Sequence, residues 1–123
     1  MAKVKVEEMV IDGVTYVPKD SNQKAESLDG MPYVILRTYS AGVFAGYLEN
    51  REGKEATIRK SRRLWYWSGA SSLSQLAVDG VSDPNNCKFP CEVDKTEVTE
   101  AVEVLYCTEK ARICIQGVKI WEQ

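Results

Sequence analysis

Histidine is absent from the chain. That removes the commonest general base, the imidazole metal ligands and every histidine-containing triad. Catalysis would have to run on Asp, Glu, Lys, Tyr or Cys alone. No glycine-rich loop of the phosphate-cradling type is present either, so neither an NTPase nor a dinucleotide-binding motif is expected. No run of about 18 apolar residues occurs, so no membrane span is expected. Met1 to Val6 alternates Lys with Val and lacks an apolar stretch, so no secretory signal is expected. A net charge of −2 argues against sequence-blind capture of long nucleic acid, although a local basic patch can still hold phosphate. These absences favour a small, soluble, intracellular binding protein over an enzyme.

Four cysteines are present, Cys87, Cys91, Cys107 and Cys114. The first two are spaced C-x3-C and the last two C-x6-C, wider than the usual zinc pairing. Free buried thiols are expected, with no metal or cofactor. A Cys87–Cys91 disulfide or zinc pair is the alternative.

What the chain does contain is one domain's worth of residues, 123, of which 44% are hydrophobic. Val4 to Pro18 predicts a β-hairpin, because Asp12-Gly13 sits between β-branched runs and suits a turn with two positive φ angles. Lys19 to Gly30 is polar and predicts a flexible linker. Residues 1–30 thus form a hairpin and linker, expected to make an oligomer contact because two strands alone are marginal in water. Residues 31–123 form the core.

Tyr33 to Tyr39 reads as a buried strand, broken at Ser40-Ala41-Gly42 and resumed from Val43 to Leu48. Glu49 to Glu55 reads as a charged turn. Ala56 to Trp67 is extended again, as one strand or as two joined near Ser61. Ser71 or Ser72 caps a helix with Leu73, Leu76 and Ala77 on one face, stopped by Gly80. Ser82 to Val93 reads as an irregular loop and Val98 to Tyr106 as a strand. Thr108 caps a last helix with Ala111, Cys114, Ile115 and Val118 in a stripe. The expected fold is α+β: a small antiparallel sheet, two short helices and an N-terminal hairpin.

The segment Arg59-Lys60-Ser61-Arg62-Arg63-Leu64-Trp65-Tyr66-Trp67 carries most of the chemistry. Period-two alternation places Arg59, Ser61, Arg63, Trp65 and Trp67 on one face. Arg62 falls on the other, where it could reach a pocket formed with a neighbouring subunit. Arginine holds phosphate through a planar fork and aromatic rings stack on bases, so the segment suits a nucleotide. A solvated basic strand with structural tryptophans is the alternative. The second candidate is the Tyr39 to Phe44 turn, where Ser40 and nearby amides can meet a phosphate or ribose; a simple β-corner is its alternative. Candidate ligand-binding residues are therefore Tyr39, Ser40, Phe44, Arg59, Arg62, Arg63 and Trp65. Glu97, Glu100 and Glu103 read as the solvated decoration of a strand.

The stretches YVILRTYSAGVFAGYL, REGKE, RKSRRLWYWSGASSLSQLAVDGVS and TEAVEVLYCTEKA together resemble a family of phage anti-Thoeris sponges, over about residues 31 to 118. The resemblance implies a non-catalytic protein that binds and sequesters a cyclic ADP-ribose isomer made by a TIR-domain protein. Cyclic oligonucleotides are further ligands of some members. It also implies a homo-oligomer with ligand at subunit contacts, working in the cytoplasm of an infected bacterial host. A single-stranded nucleic-acid module and a nucleotide-cleaving enzyme are the competing readings.

Overall fold

Residues 9–11, 14–16 and 24–122 are described by the structure, a computed structural model. Strands β1 (Met9–Ile11) and β2 (Val14–Tyr16) pair antiparallel, with Met9 opposite Tyr16. Their Asp12-Gly13 connection, the flanks of the expected hairpin and linker residues 19–23 lie outside the described residues.

From Lys24 onward the expected flexible linker is instead fixed to the core. The Ala25 amide donates to the Cys107 carbonyl at 3.1 Å. Leu28 and Met31 exchange both backbone hydrogen bonds around Asp29 and Gly30, whose φ angles are 51° and 81°. Two successive positive φ angles define the tight hairpin turn that Asp-Gly accommodates. Ala25, Leu28 and Met31 are the reason this polar stretch docks: their side chains pack against the core.

Five strands form the main sheet: β3 (Tyr33–Thr38), β4 (Val43–Glu52), β5 (Glu55–Arg63), β6 (Glu92–Val98) and β7 (Ala101–Tyr106). All pairings are antiparallel, in the order β6-β5-β4-β3-β7. The expected charged turn shrinks to Gly53-Lys54, because β4 runs on to Glu52. The single strand expected over Val98 to Tyr106 is two strands, and part of the expected loop is β6. Sequence patterning misses β6 because it is polar and exposed along most of its length.

β6 and β7 are consecutive in the chain yet occupy opposite edges of the sheet, joined only by Thr99 and Glu100. Four inter-strand spacings would part flat edges by about 19 Å. The steps from Val98 to Ala101 reach at most about 11 Å. The sheet must therefore curl until its edges approach at this corner. Two bonds pin it: the Tyr39 amide donates to the Glu100 carbonyl, and the Ala101 amide to the Lys54 carbonyl, both at 2.9 Å.

Curling creates two apolar layers. Inside the curl, Leu36, Phe44, Ala56, Ile58, Val98 and Ala101 cluster. On the other face Tyr33, Ile35, Ala45 and Tyr47 pack with Leu76, Phe89, Ala111 and Ile115. Hence β3 is buried on both sides and reads as a continuous apolar run. The second layer is roofed by α1 (Leu73–Asp79) and α2 (Glu109–Gly117). Ser72 and Thr108 cap them by accepting from the Gln75 and Ala111 amides, both at 3.1 Å, and Gly80 ends α1 at φ 76°. The α+β expectation and both capping serines or threonines stand. No described helix is long and apolar enough to cross a membrane.

Candidate functional site

Gly46 decides where the arginines of β5 point. A Cβ there would lie 2.5 Å from Ile58 Cγ2 and 2.9 Å from the Arg59 carbonyl, so only glycine fits. Opposite it the β4–β5 register shifts, and Lys60 takes a φ of 50°. An extra residue in one strand reverses the side-chain alternation beyond it. Arg59 is consequently paired with Tyr47, and Arg62 with Ala45, both on the helix-covered face. Arg63 is paired with Phe44, on the inner face. The expected shared face of Arg59, Ser61 and Arg63 does not form.

Each arginine then meets its own surroundings. Arg59 forms ion pairs with Glu49 at 3.0 Å and Asp94 at 3.3 Å, and the Glu49 hydrogen bond raises its pKa further above the ordinary range. Arg62, expected to reach a phosphate or a neighbouring subunit, is only 5% exposed. Its guanidinium donates to the carbonyls of Pro90 (2.9 Å), Ile115 (2.8 Å) and Phe89 (3.0 Å). Burial lowers its pKa. Arg62 thus ties β5 to the loop before β6 and to the end of α2, with each of its three guanidinium nitrogens engaged. Arg63 is exposed, and its guanidinium carbon lies 4.6 Å from the Phe44 ring centroid. Among the described residues it has no ion-pair partner.

Arg63 and Phe44 form one wall of a cleft of about 200 Å³ at the mouth of the curl. Thr38 ends β3 and Ser40 lies in the turn after it, while Glu97 lies near the end of β6 and Glu100 in the β6–β7 corner. Thr38 shapes the turn: its hydroxyl donates to the Gly42 carbonyl at 2.7 Å and accepts from the Ala41 amide at 2.9 Å. Ser40 Oγ donates to Glu100 Oε1 at 2.5 Å. A cation, two carboxylates and several hydroxyls therefore line one hollow without the cation and the acids pairing. This arrangement can hold a ligand that offers both an anion and hydrogen-bond donors.

Of the expected site residues, Ser40, Phe44 and Arg63 meet here, whereas Arg59 and Arg62 do not. Tyr39, 81% exposed, sits between two lining residues at the tip of the turn. Trp65, 64% exposed, lies past the end of β5 and outside the lining. Glu97 and Glu100 also line the cleft, although their place in the sequence predicts only the solvated decoration of a strand. A clue was present: the three-residue step from Val98 to Ala101 breaks the alternation that a single strand requires. Larger hollows exist, among them a mostly apolar one of about 470 Å³ between the Lys24–Pro32 strap and Tyr106.

All four cysteines are free. Cys87 and Cys107 are buried and Cys114 is half-buried, but Cys91 is exposed, contrary to expectation. Burial pushes the Cys107 thiol up to about 12, which leaves it an unreactive thiol at neutral pH. Among the described residues, no group of three or more Cys, Asp or Glu side chains is placed to hold a metal ion.

A model for a family described as a domain of unknown function, DUF6948, matches residues 31–115. No curated protein and no solved structure matches the chain.

Proposed function

We propose a function from the site itself, because the chain belongs to the DUF6948 family, whose description assigns no activity. The protein is a non-catalytic binder that sequesters a small phosphorylated nucleotide signal. A cyclic ADP-ribose isomer is the ligand, as the resemblance to the anti-Thoeris sponges implies. Work against Thoeris defence inside an infected bacterium belongs to the same reading.

One observation carries it. Arg63 lies over the Phe44 ring with no ion-pair partner among the described residues, although Glu97 and Glu100 line the same cleft. Contact with the ring restricts the exposed guanidinium and leaves it without a carboxylate to compete for its donors, so it suits a pyrophosphate. The absence of histidine supports binding over cleavage. The paired β1 and β2 strands, a two-stranded unit of marginal stability, support assembly into a homo-oligomer that shares ligand at its contacts.

Calorimetry with a cyclic ADP-ribose isomer tests the reading. A charged hydrogen bond is worth about 1.5–3 kcal/mol, and each 1.4 kcal/mol is a factor of ten. Arg63→Ala is expected to weaken binding by about tenfold to a hundredfold, with Arg63→Lys recovering part. Arg59→Ala, outside the cleft, is expected to bind like the parent. Parental affinity in Arg63→Ala would remove the cleft from the account.

A further inference from the structure

The carboxylates of the cleft need an explanation that a phosphate does not give. Glu97 and Glu100, both exposed, repel an anion and offer acceptors to a ligand's donors. Ser40 supplies one, to Glu100 Oε1; among the described residues' hydrogen bonds, Glu100 Oε2 takes none. Arg63 could have neutralised either acid, yet no ion pair forms between them although all three groups line the same hollow. The cleft thus keeps an anion-binding wall and an acceptor wall apart.

We infer that Glu100, seconded by Glu97, accepts hydrogen bonds from the vicinal hydroxyls of a ribose while Arg63 holds the adjoining phosphate. This deepens the proposed reading of the cleft and rests on it. An acidic side chain accepting from a ribose 2′-hydroxyl is an established way of recognising nucleotides, and the same hydroxyl separates ribose from deoxyribose. Size agrees. About 200 Å³ is below the roughly 300–1,000 Å³ of sites that enclose a whole ligand. The cleft therefore takes the ribose–phosphate portion and leaves the base outside, beside the exposed ring of Tyr39 between Thr38 and Ser40. The Ser40 hydroxyl stays on Glu100 Oε1 and restrains the carboxylate, which leaves Oε2 to accept from the sugar. A base amine donating to Glu100 is the competing occupant.

The test uses the full chain and two probes: a cyclic ADP-ribose isomer, and the same compound lacking the 2-hydroxyl of the ribose not joined to adenine. Calorimetry is run on the parent, Glu100→Gln, Glu97→Gln and Arg63→Ala, each checked for an unchanged melting temperature. The parent is expected to prefer the intact probe by about tenfold, the scale of one charged hydrogen bond. Glu100→Gln is expected to erase most of that preference, because a mutation and a deletion acting on one contact are not additive. Arg63→Ala is expected to weaken both probes alike. If the parent binds both probes equally, or Glu100→Gln keeps the parental preference, ribose recognition is overturned while nucleotide binding stands. If neither probe binds the parent, both fall together.

Discussion

The guanidinium of Arg62 donates to three backbone carbonyls in the interior, those of Pro90, Ile115 and Phe89, with no carboxylate inside ion-pair distance among the described residues. Removing it strands buried acceptors, each costing about 1–3 kcal/mol. Arg62→Ala is therefore expected to lower unfolding stability by about 3 kcal/mol or more, read from urea denaturation, with Arg62→Lys restoring only part because one ammonium cannot span three carbonyls. A loss under about 1 kcal/mol would show that water replaces the guanidinium. Arg63, its chain neighbour, belongs to the cleft instead. The residue types alone could not separate the two. Their roles depend on the positive φ at Lys60 and the close approach at Gly46, neither of which composition or alternation reveals. The turn that carries Ser40 was easier to read, since a Ser-Ala-Gly break between two apolar runs marks an exposed turn.

At the scale of elements, the helices and the edge strand β7 were legible and the edge strand β6 was not. Ser72 and Thr108 sit directly before apolar stripes and cap as that pattern dictates. β6 hides because an exposed edge strand carries charges where period-two patterning looks for apolar residues. The strap hides for the opposite reason: its apolar residues are diluted among charges. The strap is held to α2 by Glu109, which accepts from the Glu26 amide at 2.6 Å and from the Arg112 guanidinium. Hydrogen bonding from Arg112 lowers the Glu109 pKa below the usual carboxylate range, with the Glu26 amide second. A depressed folded-state pKa means a contribution present above the unfolded value, about 4.3, and lost as pH falls through the folded value. The parent is expected to unfold at higher denaturant than Glu109→Gln at neutral pH, and the gap to close on acidification below about pH 4. A gap that stays constant across the acid range would show that the pair contributes no pH-dependent stability.

For the whole molecule, the α+β class followed from the order of patterned segments, but the curl did not. Closure depends on Thr99 and Glu100 being the sole link between strands at opposite edges, a fact of topology that local patterning does not carry. That same corner brings Glu97 and Glu100 across from Arg63, so the cleft exists only because the sheet closes. On the proposed function, the protein captures its ligand through this cleft and does not alter it. The most direct measurement incubates the parent and Arg63→Ala with a cyclic ADP-ribose isomer, removes protein by filtration, then heats the retained protein and weighs the released compound by mass spectrometry. The parent is expected to deplete the free ligand in proportion to protein added and to release it at unchanged mass, whereas Arg63→Ala leaves most of it free. No depletion by the parent, equal depletion by Arg63→Ala, or linear ADP-ribose accumulating with time would contradict the account.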